Sequence, residues 1–484
     1  MAYTFVYVIF FLYLCTLNCL KCVHTYEMSA NIKLKNDMSS YKYSLFGYHA
    51  IKQAEIAIDG ITVLAGDNGC GKSTLSRWLY YIVNATSRYE ELLFEDLKDQ
   101  LEELTRQGKI VVRELGRGSN EFSSNTLMEL HNSMTNLRYS EDNAPQILMQ
   151  LFAESMHQLG MGLNEYLSNS KSEYRIQRMN RYLNLDIENT EDYCVAIDGY
   201  VERRMRDAEV LFGEYRRNYE NRPVSRFFDL IHSHYDVRDK EPDRIQLAED
   251  GVKLLRKDEL GSLFNLDKAI YIDTPMALNS DSWRTESQFW FDLRRMMKDD
   301  PVKPSKEVLK LLFRVRNILG GGEVKVQDSV YLDKELRFVR KADNLNIRLE
   351  DTATGFKTFA YIQKLLENGY LNEHTLLLID EPEAHLHPKW IFEFAHLLVL
   401  LHKDLGVKVM VASHNPDMVA AIQKVALVEN EIEYTHFYQT YRDTDSYQFE
   451  YRDLGGSINE IFRSFNIATS RIQEYGEEYK TVSE

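Results

Sequence analysis

The residues best equipped for chemistry form a glycine-rich octet, Gly66-Asp67-Asn68-Gly69-Cys70-Gly71-Lys72-Ser73, followed by Thr74. Glycines at such spacing let successive backbone N–H groups turn inward on an anion, with no Cβ in the way. Lys72 offers a cation to the outer phosphates of a nucleoside triphosphate, and Ser73 offers a hydroxyl to a magnesium ion. The pattern is a complete GxxxxGK[ST], with Gly69 as an additional glycine inside it. A chance glycine turn would not also carry the Lys and Ser at these offsets.

Two further clusters lie far along the chain. In LLLIDEPEAHLHP, residues 376–388, an apolar run ends in the adjacent acids Asp380 and Glu381. A buried strand ending this way delivers carboxylates to the carboxyl edge of a sheet, where open α/β folds bind ligands. Asp380 suits a role on the magnesium ion, and Glu381 suits polarising an attacking water. Glu383, His385 and His387 could alternatively suggest a metal site, but His-x-His is too short a spacing for one helical face. In VMVASHNP, residues 409–416, the next strand ends on His414, one β/α unit later and aimed at the same edge, as a γ-phosphate contact requires.

These groups need rigid elements to hold them. Ile61–Ala65 is a compact apolar run that suits a buried strand, and Lys72–Val83 shows apolar residues at helical spacing, so the octet falls in a strand-loop-helix setting. The last third alternates: helix over 356–367, strand 375–380, helix 389–402, strand 407–412, helix 416–423, and strand 425–428. That rhythm belongs to a mostly parallel, covered sheet. Short alternating stretches before residue 61 predict antiparallel strands. Strand signals recur at 244–247 and 269–273, helices are expected over 286–297 and 305–319, and hairpins over 324–349. Between these parts, from about Tyr89 to Leu260, charged stretches with helical periodicity predict a helical insertion without sustained heptads.

Composition narrows the classes. The chain has 484 residues, 44% of them hydrophobic, and a formal net charge of −16. It can bury a large core, and it is not coated in nucleic-acid-binding surface. Local basic pieces remain, Arg203-Arg204-Met205-Arg206 and Arg216-Arg217, whose plain reading is a solvated helix face. The cysteines Cys15, Cys19, Cys22, Cys70 and Cys194 form no spaced disulfide framework, which points to a reducing, cytoplasmic setting. Cys15, Cys19 and Cys22 have the spacing of a three-thiolate iron–sulfur site but sit in an apolar run with no catalytic barrel pattern behind it, so chance explains them. That run, Tyr3 to Leu20, is long enough for a bilayer span and has no basic residue before it. It reads as an anchor, as a poor signal peptide, or as sequence upstream of a start at Met28, the reading preferred here. Membrane association is expected only if the first 27 residues are retained.

Together the octet, the acid strand and the SHNP strand end resemble the ABC-type ATPases of the RecF, SMC and OLD kind, commonly catalogued as AAA-family ATPases. The likeness covers Ala30–Ser87 and Ala269–Val428. It implies an α/β P-loop NTPase fold, with an ABC-type mostly parallel sheet, N-terminal antiparallel strands and a large helical insertion. It further implies ATP and Mg2+ as ligands, ATP hydrolysis as the activity, and a homodimer that sandwiches two nucleotides. The resemblance assigns Gly66 to Thr74 to the nucleotide, Ser73 and Asp380 to the metal, and Glu381, Lys72 and His414 to catalysis. It places a signature loop at Asp351–Lys357, where Thr354 and Gly355 would reach the partner's nucleotide, while Phe356 and Lys357 depart from the commonest form. Glu383–His387 becomes a subunit-contact loop. The expected division is an apolar segment 1–27, an N-terminal ATPase part 28–88, the insertion 89–260, a C-terminal ATPase part 261–430 and an extension 431–484. What the ATPase acts on stays open between DNA, in repair or defence, and a protein effector held or released by ATP state.

Overall fold

The computed structural model describes residues 39–115, 121–169, 173–185, 193–273, 287–328, 334–384 and 386–465. The apolar N-terminal run with its three cysteines, Met28, and His385 lie outside the described residues. Two strands open the fold, β1 (Tyr41–Tyr48) and β2 (Ile51–Ala57), antiparallel to each other. β3 (Ile61–Ala65) follows, buried along its whole length, and leads through the glycine-rich loop into helix α1 (Lys72–Ser87). Next come the helices α2 (Tyr89–Leu115), α3 (Glu121–Asn136), α4 (Ala144–Asn169), α5 (Glu173–Leu183), α6 (Tyr193–Asn221) and α7 (Val224–Tyr235).

The chain then returns to strands β4 (Arg244–Glu249), β5 (Val252–Lys253) and β6 (Lys268–Ile272), and to helices α8 (Gln288–Lys298) and α9 (Lys306–Ile318). β7 (Glu323–Asp328), β8 (Lys334–Arg340) and β9 (Leu345–Arg348) make a separate three-stranded antiparallel sheet. The final run is α10 (Thr354–Glu367), β10 (Thr375–Asp380), α11 (Pro388–Leu405), β11 (Lys408–Ser413), α12 (Pro416–Glu429), β12 (Thr435–Arg442), β13 (Phe449–Asp453) and α13 (Asn459–Phe465).

Ten strands form one sheet in the order β5-β4-β1-β2-β13-β12-β3-β11-β10-β6. The half that holds the motifs, β12 to β6, is parallel throughout. Strands buried on both faces read as continuous apolar runs, which explains why TLLLID and KVMVAS show no alternation between their polar ends. The fold is therefore an α/β P-loop architecture with a mostly parallel sheet and antiparallel strands at the N-terminal side.

Helix ends near the sheet are set by local chemistry. α11 starts with Pro388 in its first turn, and the His387 ring accepts from the Lys389 N–H at 3.3 Å; it stops at Gly406, whose φ of 70° a side chain would disfavour. That accounts for His387 as a cap. Among the described residues no cluster of three metal-binding side chains exists.

Three boundaries differ from the sequence expectation. Val425–Val428 is not a strand but the last turn of α12, with Val425 and Ala426 buried and Leu427 and Val428 half exposed. Four consecutive apolar residues carry no period of their own, so the run is equally compatible with a helix. Residues beyond 430 include β12 and β13, which sit between β3 and β2 inside the sheet. β4 stands where the strand signal at 244–247 was expected, but it and β5 fall inside the span 89–260 assigned to the helical insertion and join the main sheet beside β1.

The helices α2 to α6 enclose a second core of their own, in which Phe94, Leu148, Phe152, Met156 and Ile197 are fully buried. Among the described residues no helix is long and apolar enough to cross a membrane.

Candidate nucleotide-binding site

Strand register brings the three motifs to one edge. Ala65 of β3 lies opposite Ser413 of β11, and Ala412 lies opposite Asp380 of β10. The glycine-rich loop, His414 and Glu381 therefore leave three adjacent strands at the same level.

The loop itself is held from below. Gly69 and Gly71 adopt φ of 80° and 96°, a region costly for residues with a Cβ. A Cβ at Gly71 would come within 2.6 Å of Ile51, and one at Gly66 within 2.0 Å of the Thr440 hydroxyl, so both neighbours demand glycine. The buried Tyr451 hydroxyl donates to the Cys70 carbonyl at 3.2 Å. β12 and β13 thus floor the loop, a role invisible while they are read as a terminal extension. Lys72, only 6% exposed, donates to the carbonyls of Gly66 and Asp67, both at 2.9 Å, and lies 3.7 Å from the Cys70 sulfur. Its ammonium is thereby held against the loop that leads into α1, and a helix start leaves its first N–H groups without intrahelical partners, ready for an anion.

Asp380 is almost wholly buried at the end of β10. The Tyr271 hydroxyl donates to its Oδ2 at 2.9 Å, whereas Oδ1 is buried with no hydrogen-bond partner among the described residues. Burial pushes its carboxyl above the ordinary carboxylate range, and the hydroxyls of Ser73 and Tyr271 oppose that rise. A buried carboxylate with an unused oxygen beside a serine hydroxyl fits a hard, oxygen-seeking cation such as Mg2+, which would also restore its ionised form. Tyr271 is itself fixed: Arg77 lies over its ring at 6.0 Å and pairs with Asp273 at 3.0 Å. Burial, then the Asp380 charge, keep the Tyr271 phenol protonated and a donor.

Glu381 follows in a left-handed conformation, φ 48°, uncommon for a residue with a side chain. Its N–H is tied to the Ala412 carbonyl at 2.8 Å, and its Oε1 lies 3.2 Å from Nδ1 of His414. Both side chains are partly open to solvent. A carboxylate and an imidazole in contact at the mouth of a phosphate-binding loop can orient a water and sense a terminal phosphate.

Thr354 and Gly355 stand elsewhere, in the first turn of α10, where a Cβ at Gly355 would touch Leu386 and Trp390 at 3.2 Å. Among the described residues no hydrogen bond or ion pair joins either of them to the loop 66–74. Sequence reasoning overlooked Tyr271 and Arg77, and read Glu383 only as part of a metal alternative and of a subunit-contact loop. A tyrosine inside the apolar run AIYI was the available signal for the first, since a buried hydroxyl requires a partner.

Residues 293–420 match the model of a family described as AAA domain, putative AbiEii toxin, Type IV TA system. The matched residues include Asp380, Glu381 and His414 and leave out the glycine-rich loop. The chain is also 35% identical, over 72 residues, to the energy-coupling factor transporter ATP-binding protein EcfA3 of Clostridium perfringens; the match covers 15% of this chain and 25% of that protein. The chain thus spans about a quarter of the length of the curated relative it matches. Among solved structures, the Smc head domain bound to the C-terminal domain of ScpA from Pyrococcus furiosus aligns with 10% identity, a TM-score of 0.31, and coverage of 90% of this chain and 100% of that one. An ATP-binding cassette of an ABC transporter in its ADP conformation aligns with 8% identity, a TM-score of 0.29, and coverage of 83% and 86%.

Proposed function

We propose that the chain binds Mg-ATP at the loop 66–74 and hydrolyses it to ADP and phosphate. The observation that carries the reading is the meeting of Lys72, Asp380, Glu381 and His414 at the ends of three adjacent parallel strands. Lys72 and the loop amides hold the β- and γ-phosphates, and Ser73 and Asp380 hold the cation. Bound Mg2+ would neutralise charge on the phosphate oxygens. Glu381 orients a water whose oxygen attacks the γ-phosphorus; the bond to the β–γ bridging oxygen breaks, ADP leaves, and the water's proton passes towards Glu381. His414 donates to the γ-phosphate. The carboxylate–imidazole contact keeps both groups aimed at one point, so that the work is positioning and electrostatics.

The active form is an ATP-sandwich homodimer, with Thr354 and Gly355 of each subunit closing on the partner's nucleotide. Their place in the first turn of α10, with no hydrogen bond or ion pair to the subunit's own loop among the described residues, supports this arrangement, as does the glycine packed tightly at the helix start. The output is proposed to lie in defence or DNA repair, and the toxin named in the description of the matching family favours defence. A second reading, control of a protein effector without direct nucleic-acid contact, is favoured by the state of the basic pieces. Arg206 pairs with Glu202, Arg204 with Asp207, and Arg217 with Glu214, all within one helix.

The test is ATP turnover and solution mass, with and without Mg-ATP, for the wild type and Glu381→Gln. Turnover by the wild type, with the variant slowed by about 10²–10³-fold and trapped as an ATP-bound dimer, supports the proposal. Absence of both turnover and dimerisation overturns it. Salt-sensitive DNA binding, measured on the same protein, decides between the two outputs.

A further inference from the structure

Glu383 is a buried acid two residues beyond the proposed catalytic carboxylate, and the steps above do not use it. Its Oε1 accepts from the Ser413 hydroxyl at 2.7 Å and from the His414 backbone N–H at 3.2 Å. The His414 ring nitrogen Nδ1 lies 3.7 Å from the same oxygen. Ser413 in turn accepts from the Asn415 N–H at 3.1 Å, and Asn415 caps α12 by accepting from the N–H groups of Asp417 and Met418. The other oxygen, Oε2, is buried without a hydrogen-bond partner among the described residues.

A carboxylate in such a place carries a cost. A buried polar atom left unpaired is unfavourable, and a side chain kept there needs a compensating role. The turn that carries it is also strained: Glu381 is left-handed, and the chain is pulled round by Ala384 N–H to Glu381 O and Leu386 N–H to Glu383 O, both at 2.9 Å. Glu383 thus anchors this turn to the end of β11 through a single oxygen. Beside that bridge, Glu381 N–H to Ala412 O and the solvent-facing contact of Glu381 with His414 link the two strand ends at this level.

The geometry points to Glu383 as a positioning residue that clamps the end of β11 to the Glu381 turn, so that the His414 imidazole stays aligned with Glu381. The inference rests on the hydrolytic reading of Glu381 and His414. It acts through hydrogen-bond acceptance at Oε1, which an amide oxygen can reproduce and an alanine cannot. Geometry of this kind is sensitive, because misplacing a catalytic group by about 1 Å can cost about 100-fold in rate.

The experiment compares the full-length wild type with Glu383→Gln, Glu383→Ala, Ser413→Ala and the Glu383→Ala/Ser413→Ala pair. Three quantities are read: kcat, KM for ATP, and the His414 imidazole resonances, assigned by loss in a His414→Gln variant. Glu383→Ala is expected to lower kcat by about 10- to 100-fold with KM within about threefold of wild type. Glu383→Gln is expected to recover most of that loss, and the double variant to be no worse than Glu383→Ala, since Ser413 acts through the same oxygen. The His414 resonances move in Glu383→Ala and remain near their wild-type positions in Glu383→Gln. An active wild type whose Glu383→Ala variant is unchanged in both kcat and His414 resonances overturns the clamp. A parallel collapse of nucleotide binding and kcat also overturns it, because the role would then be plain folding. An inactive wild type whose His414 resonances still move in Glu383→Ala overturns the hydrolytic reading and leaves the clamp supported.

Discussion

The sheet edge and the helical lobe handle charge in opposite ways. At the edge, Lys72, Asp380, Glu383 and Ser413 are drawn inside and converge, with carboxylate oxygens left unpaired and a strained turn between them. In the lobe of α2 to α6, Arg204, Arg206 and Arg217 of α6 pair with acids one turn away along their own helix, and the interior is mostly apolar, its unpaired buried atoms among the described residues being the neutral Asn164 Oδ1 and Tyr200 hydroxyl. Where a lysine is partly buried there, as Lys98 is, it is consumed by Glu95 and by the carbonyls of Thr135 and Leu137. The difference locates chemistry in one region and mechanics in the other. A buried carboxylate oxygen without a partner costs far more than a neutral one and calls for a compensating role, whereas a mostly apolar core with solvated charges does not.

Each side of this contrast can be broken separately. The largest effect is expected from Phe152→Ala in the lobe core. It removes a fully buried ring and should cost about 3–5 kcal/mol of lobe stability, read by chemical denaturation, while ATP affinity at the sheet edge stays within about threefold of wild type. Loss of both together would show that the two cores are one cooperative unit. Lys72→Ala should do the reverse, reducing ATP turnover by about 10²–10³-fold with little change in the denaturation midpoint.

Gly66→Ala comes next. The added methyl meets the Thr440 hydroxyl at 2.0 Å, and a displacement of the loop costing about 1–3 kcal/mol should appear as weaker nucleotide binding. Thr440→Ala on that background should recover part of the loss, which would show that β12 sets the loop's floor. The smallest effect concerns His436, 3.6 Å from Asp59 and held above the ordinary imidazole range by the hydrogen bond to that carboxylate. A raised folded-state histidine stabilises fully below the ordinary imidazole value, and that contribution fades as pH rises through the elevated one. Asp59→Asn should therefore flatten the stability–pH curve over that window, by less than about 1 kcal/mol because the pair is partly exposed.

The legible parts were those with strong local signals. The glycine octet, the TLLLID strand and its acids, and the SHNP strand end each announce a conformation within a few residues, because glycine freedom, full burial and capping are local properties. The apolar run 425–428 misled because four residues without a period do not separate strand from helix. Residues 435–453 could not be placed at the centre of the sheet, since β12 and β13 pair with strands nearly 400 positions away in the chain. Glu383 was visible as an acid but not as a clamp.

By itself the sequence determined which groups could act on a phosphate and in what kind of element each stands. Types and spacing fix the reach of a side chain from its own backbone. Tertiary structure alone decided that Thr440 and Tyr451 support the loop, that Tyr271 holds Asp380, and that one oxygen of Glu383 ties two strand ends together. The physical reason is that strand register and burial are set by the packing of the whole sheet, and only packing determines which oxygen faces which N–H.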